Sequence, residues 1–399
     1  MKDVKKVLMV CTKYDISGDS PWLTNEFAES LVERGVHVVV CFVDWSTKNK
    51  SAFFEQRRGL DVLVVAKKNY RLGLLGKAMK WFGGSGKAYK ELVRKCDVSS
   101  FDVVVSFSPS STDRGLVNRL VDKYKIKSFH VLWDFFPLHH NQIGLIPSGW
   151  IYDLARKIES RMLSKHDVIG LMSPANVVFF DKAWPEFKNK KKVVFPIWGK
   201  SGDAYMCDVA AIRSELGFAR EDYVFVYGGQ LNAGRGVELI FEAAKKAPSG
   251  VKFLIIGWGV NFEKFKKYAE DFPNVLVVPP RPRADYKKLI SSCDCGLVLT
   301  DSKTSVPTFP SKTFDYFDVG LPILAHVEST TDYGEVISQE AKAGFFSVGS
   351  DFDVFYNNIS MISRDLKKSK KMGMNGKDYL RRELQVDRAV DRFFNSIKF

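Results

Sequence analysis

YVFVYGGQLNAGRGVELIFEAAKKAPSGVKFLII, residues 223 to 256, reads as one complete unit of a parallel α/β fold. Tyr223 to Tyr227 form a short apolar run that predicts a strand buried on both faces. Gly228, Gly229, Gly234 and Gly236 then mark a loop, Val237 to Lys246 has helical spacing, and Val251 to Ile256 predicts the next strand. A glycine-rich loop that runs from a strand into a helix lets backbone N–H groups approach an anion, and Arg235 adds a forked positive charge. The other reading of the same residues is a tight turn with a solvated arginine.

Working outward, the same alternation continues. Strands are predicted at Val275 to Val278, Gly296 to Leu299, Ile323 to Ala325 and Gly344 to Ser347. In the first half they fall at Val7 to Cys11, His37 to Phe42, Asp61 to Ala66, Asp102 to Phe107, Ser128 to Leu132, Asp167 to Leu171 and Lys192 to Phe195. Leu23 to Arg34 is a helix stopped by Gly35. The fold class is therefore α/β, with two Rossmann-like parallel-sheet domains at 1–200 and 201–385, joined within Pro196 to Cys207. A last helix, 386–399, places Val386, Ala389, Val390, Phe393, Phe394 and Ile397 on one face and is expected to pack back on the N-terminal domain.

The chain has 399 residues, 45% hydrophobic and 27% charged, a globular composition with no apolar run long enough for a membrane span. The opening MKDVKKVLMVCTKY reads as a strand and not a secretory signal, which implies a cytoplasmic protein. Six cysteines show neither CxxC pairs nor zinc spacing and read as reduced thiols, with Cys293 and Cys295, where a buried strand begins, read as core residues. The net charge of +14 is one-sided: residues 1–200 hold 33 Lys and Arg against 20 acids, residues 201–399 hold 27 against 26. Such asymmetry implies a polyanionic partner. The basic residues match no nucleic-acid reader motif, so no nucleic-acid partner is expected.

A second stretch, PSKTFDYFDVGLPILA at 310–325, puts Ser311 and Lys312 at a helix start and Asp315 one turn later. Free N–H groups there suit a phosphate, and Asp315 suits a ribose hydroxyl. Gly257-Trp258-Gly259 and the PPRPR segment with Arg281 follow two further strands at the edge where open α/β sheets bind ligands.

In this order the elements resemble the C-terminal domain of family 4 glycosyltransferases, retaining enzymes of the GT-B fold, over most of residues 223–326. The family's G-R-L-x-x-x-K-G loop is similar to Gly229 through Gly236, with Arg235 in the place of the lysine and Gln230 in that of the arginine. Its paired-acid motif E-x7-E is half present: Asp315 aligns with the second acid, Pro307 with the first. The resemblance implies two domains facing across a cleft, with a nucleotide-diphosphate sugar, UDP-linked first and GDP-linked second, as substrate and no cofactor. Gly18, Gly229, Arg235, Arg281, Ser311, Lys312 and Asp315 are the expected donor-binding residues. Gly18 lies in the loop YDISGDSPW, which resembles the family's first glycine loop.

HVLWDFFPLHHNQIG, residues 130–144, gathers titratable and aromatic groups after a strand. Trp133 occupies the place of a family histidine and Asp134 that of its acid. Asp134, His139 and His140 are the candidate catalytic residues, able to orient an acceptor hydroxyl or accept its proton. Ser173 reads first as a helix cap. Asp351-Phe352-Asp353 spells a metal-binding DxD but sits where acids cap a helix, so no metal is expected and positive groups would neutralise the diphosphate.

Lys67 to Lys90, KKNYRLGLLGKAMKWFGGSGKAYK, mixes basic residues with Leu, Met, Trp and Phe and contains no acid. It reads as a contact for an anionic membrane surface, against the alternative of a solvated face over a core. The expected function is transfer of a sugar to a glycan or polyprenyl-diphosphate-linked acceptor, in O-antigen or similar cell-surface polysaccharide synthesis, by a protein peripheral on the inner membrane face. A nucleotide-sugar epimerase and a non-catalytic nucleotide-sugar or polyanion-binding protein are the alternatives. A dehydrogenase is disfavoured because GxGxxG is absent after the first strand.

Overall fold

Lys6–Cys11 forms β1, the centre of the first sheet, and its side chains alternate between two apolar layers. Val7, Met9 and Cys11 join one core with Phe27 and Leu31, whereas Leu8 and Val10 join the other with Leu92, Leu116 and Leu120. Burial on both faces explains the unbroken apolar run. The computed structural model describes residues 4–18, 20–45, 52–66, 85–202, 207–232, 234–301 and 304–397. Most of the basic segment Lys67 to Lys90 lies outside them.

The chain divides into two compact units, Met1–Trp198 with Val386–Phe399, and Gly199–Gln385. The first unit's other strands are β2 (His37–Asp44), β3 (Phe53–Arg57), β4 (Leu60–Ala66), β5 (Val103–Phe107), β6 (Lys127–Leu132), β7 (Val168–Leu171) and β8 (Lys191–Val194). Their order is β3-β4-β2-β1-β5-β6-β7-β8, parallel except for the β3–β4 pair. That pair is a hairpin closed by Arg58 and Gly59, both with positive φ, as a two-residue turn between twisted strands requires. Strand β3 alternates half-buried and exposed residues at the sheet edge, which is why no apolar run announces it.

The helix Val386–Ile397 packs against helix Leu23–Glu33, with the Phe27 and Phe393 rings edge-on at 5.7 Å. Ser30 donates to Asp387 at 2.8 Å, and Arg34 pairs with Asp391 at 2.9 Å. The chain thus returns to the first unit for its last helix, and Val390 is fully buried there. Val390→Ala is expected to destabilise the first unit by about 2 kcal/mol, read from the urea midpoint.

The second unit's strands are β9 (Tyr223–Gln230), β10 (Val251–Trp258), β11 (Val275–Val278), β12 (Cys295–Leu299), β13 (Ile323–Val327) and β14 (Gly344–Val348). They order as β11-β10-β9-β12-β13-β14, all parallel. The chain winds outward from β9 to β11, then reverses at β12. A crevice opens at such a reversal, between the loops after β9 and β12. In the first sheet the corresponding point lies between β1 and β5.

Candidate functional site

The loop after β9 and the segment after β12 meet at the second sheet's reversal. Gly229 has φ +142°, a conformation that L side chains rarely adopt, and the Lys312 ammonium stands 3.5 Å from where its Cβ would lie, at ordinary contact distance. Gly236 has φ +62° and would set a Cβ 2.9 Å from the Thr300 carbonyl oxygen, which ties this loop to the segment after β12. The Lys312 Nζ stands 3.5 Å from the centroid of the Tyr227 ring. Among the described residues no carboxylate pairs with it. Burial, and next the charge of Arg235, push its ammonium pKa well below the ordinary lysine value. Lys312 thus senses the positive charge of Arg235, and no carboxylate among the described residues offsets it.

Gln230, standing where the resemblance places an arginine, accepts a 3.4 Å hydrogen bond from Arg235 through its side-chain oxygen. It orients the remaining cation of the loop. Beneath them, the buried Tyr316 hydroxyl accepts from the Gly228 N–H at 2.9 Å and lies 3.1 Å from the Val226 carbonyl oxygen. The helix Lys312–Asp318 is thereby pinned to the end of β9.

Asp315 on that helix is not a solitary acid. Lys287, from helix Arg283–Ser291, places its Nζ 2.7 Å from Asp315 and 2.9 Å from Asp318, and Arg283 reaches Asp315 at 3.7 Å. The Lys287 side chain is 2% exposed and that of Asp315 25% exposed, so a partly exposed carboxylate has its counter-charge in the interior. Sequence reading missed Lys287, since nothing in the spacing of residues 283–291 points 28 residues onward.

The first acid of the pair is absent, its place taken by Pro307. Glu328, at the end of β13, is fully buried; it accepts from the Thr308 N–H at 2.6 Å and the Thr300 hydroxyl at 2.5 Å. Burial pushes its carboxyl pKa up, while the Thr300 and Thr308 hydrogen bonds oppose the rise. Glu328 braces the loop that ends in PSK. Ser311 is exposed at the helix start and its side chain makes no capping bond. Arg281 is exposed after β11, outside the Lys312 cluster.

In the first unit, the loops after β1, β5 and β6 share one sheet edge. Asp15 braces the first loop, accepting from Ser17 N–H at 3.0 Å and Ser20 N–H at 2.8 Å. Gly18 has φ +79°, and Arg57 donates to the Ser17 carbonyl beside it. Ser108 joins the other two loops by accepting from the N–H groups of Trp133 at 3.1 Å and Asp134 at 3.0 Å. Trp133 stacks on Phe107 at 5.0 Å, filling its position with an apolar wall. Asp134 is exposed, and His139 and His140 occupy the following short helix, Leu138–Gln142. Burial lowers the His140 pKa, with Asp134 raising it and His139 lowering it further, so His140 senses the charge of both neighbours. A neutral imidazole beside a carboxylate is competent to take a hydroxyl proton.

Behind this edge lies a cluster that sequence reading did not assemble. Glu159 is buried and accepts from the N–H groups of Ser110 and Ser111, both at 2.8 Å; burial raises its pKa to about 7 against those bonds. His130 and His166 stack at 4.5 Å, each bonded to a serine hydroxyl, and burial lowers both pKa values. The group holds the loop after β5 from within. Ser173 caps helix Pro174–Ala183 through the Asn176 N–H at 3.3 Å, and Asp351 caps helix Phe352–Arg364 through Val354 at 3.4 Å.

Residues 208–379 match the family model described as glycosyl transferases group 1. A glycosyl transferase assigned to colanic acid biosynthesis, WcaI of Escherichia coli K12, is 25% identical over 187 residues, 46% of this chain and 43% of that protein. The match thus spans less than half of that relative's length. Among solved structures, sucrose-phosphate synthase from Thermosynechococcus elongatus superposes with a TM-score of 0.74 at 12% identity, covering 98% of each chain. Anabaena HepE in complex with UDP-glucose gives 0.70 at 14%, covering 98% of this chain and 99% of that one. At these identities the structural likeness is one of fold.

Proposed function

We propose that this chain, whose residues 208–379 match the model of the group 1 glycosyl transferases and whose two sheets are those of the GT-B fold, transfers a sugar from a nucleoside-diphosphate sugar to an acceptor hydroxyl. The observation that carries the proposal is Lys312: an ammonium without a carboxylate partner among the described residues, over the Tyr227 ring and beside Gly229 and Arg235. A diphosphate supplies the missing anion. Lys312 and Arg235 bind it and stabilise the charge that grows on the leaving nucleoside diphosphate, with Gly229 admitting the phosphate to the backbone. Asp315 accepts from the ribose hydroxyls, and Ser311 and Arg281 extend the donor site at its rim. The HepE complex, in which a protein of the same fold holds UDP-glucose, supports a UDP-sugar as donor.

The first unit takes the acceptor. Asp134 orients the acceptor hydroxyl and His140, kept neutral by burial, receives its proton, assisted by His139. Transfer proceeds with retention, and a glycan or polyprenyl-diphosphate-linked acceptor at the inner membrane face, as in O-antigen assembly, suits the basic first half and the segment Lys67 to Lys90. The WcaI likeness supports a polysaccharide role.

Incubation with UDP- and GDP-sugars and lipid-linked acceptors tests this by following nucleoside diphosphate release. Acceptor-dependent release is expected; interconverted donor without release means epimerisation, and binding alone means a non-catalytic protein. Asp134→Asn is expected to lower kcat about tenfold with the donor KM unchanged, because it removes an acceptor contact and none to the donor.

A further inference from the structure

The helix Trp150–Leu163 presents a stripe that the fold does not use. Trp150 is 74% exposed and Leu154 44%, and Lys157 and Arg161 continue the same line, spaced by four, three and four residues. Ala155, Glu159, Met162 and Leu163 occupy the buried side. The neighbouring Arg156 shows what a structural arginine does here: it stacks on Trp184 at 5.2 Å and donates to the Ala183 carbonyl at 2.6 Å. Lys157 and Arg161 have no ion-pair partner among the described residues. They border a groove lined also by Ile158, Met162, Arg114 and Lys165, the last paired with Asp122 at 2.7 Å.

We propose that this stripe docks the protein on an anionic bilayer surface. The polarity along the helix sets its orientation: an apolar N-terminal end with an indole, then two cations one and two turns on. Indole rings favour the interface, and lysine and arginine extend their charge to the headgroup phosphates above apolar stems. Leu145, 39% exposed in the preceding loop, adds a second apolar point. A bilayer is favoured over a protein partner by charge, since residues 1–200 carry 33 basic residues against 20 acids. The stripe is also tied to the acceptor groups: Leu145 N–H donates to the His140 carbonyl at 2.8 Å, and Asn141 donates to Ile146 and Ser148, both at 3.0 Å. Where the acceptor reading of His139 and His140 holds, a lipid-linked acceptor anchored in that bilayer presents its glycan to them. The docking itself does not depend on that reading.

Flotation of the full-length protein with phosphatidylcholine vesicles, with and without 30% phosphatidylglycerol, tests the docking without any sugar substrate. Binding to the anionic vesicles is expected. Lys157→Glu with Arg161→Glu should weaken it at least about thirtyfold, and Trp150→Ser with Leu154→Ser at least about tenfold. UDP affinity and the melting temperature should stay unchanged in both, because all four residues are exposed. Brominated lipid should quench the parent more than Trp150→Phe, a readout independent of the paired variants. Equal partitioning of parent and both pairs overturns the proposal. So does loss of binding only when Lys67, Lys68, Lys77 and Lys80 are neutralised. A parent that dimerises through this face, with Trp150→Ser monomeric in sedimentation and no vesicle bound, overturns it too.

Discussion

Lys312→Ala is expected to raise the Kd for UDP about a hundredfold, the loss of one charge-assisted contact worth about 3 kcal/mol. Isothermal calorimetry with UDP alone measures this, apart from any acceptor. Unchanged affinity would falsify the assigned diphosphate site. The lowered pKa of Lys312 gives a second signature. As pH rises through that depressed value the free ammonium loses its proton, whereas a bound diphosphate holds it charged. UDP binding therefore takes up protons and weakens with rising pH, and the observed binding enthalpy should depend on the ionisation enthalpy of the buffer. The same shift fixes the sign for stability. A lysine whose pKa is lower folded than unfolded binds fewer protons in the native state, so its penalty is greatest below the folded value and fades as pH rises to the unfolded one. Lys312→Met should raise the melting temperature at neutral pH while abolishing tight UDP binding, a trade expected of a group placed for a ligand and not for the fold.

Much of the fold was legible because parallel strands buried on both faces leave apolar runs, as at Val7 to Cys11 and Val251 to Ile256. The edge strand Phe53–Arg57 left none, since only alternate side chains are covered. The glycines of the loop after β9 were legible for the same local reason: their dihedral demands are met within the loop. The partners of the candidate groups were not. Gln230 was readable as a missing arginine, but its hold on Arg235 is visible only in three dimensions. Glu328 lies 20 residues from Thr308 and meets it because β12 and β13 are neighbours. His130 and His166 stack because β6 pairs with β7, a contact that no motif records.

Lys287→Met should cost about 3–5 kcal/mol of stability in the second unit, the scale at which removing one member of a buried ion pair leaves an uncompensated charge. The burden falls on Asp318, whose side chain is 1% exposed and also accepts from Ser201 at 2.7 Å. Asp315 is more exposed and keeps Arg283 at 3.7 Å but loses its closest anchor. These two consequences separate experimentally. Adding Asp318→Asn to Lys287→Met should restore much of the lost stability, since the stranded interior charge is gone, and urea unfolding measures the recovery. It should not restore the orientation of Asp315. If Asp315 meets the ribose, the parent prefers UDP to its 2′,3′-dideoxy analogue, and that preference should fall about tenfold in the stabilised double variant, as in Asp315→Asn. A purely structural Lys287 would leave the double variant with the parent's preference, because the fold is then intact and the carboxylate still present. The comparison tests whether the lysine that sequence reading overlooked aims the acid that it found.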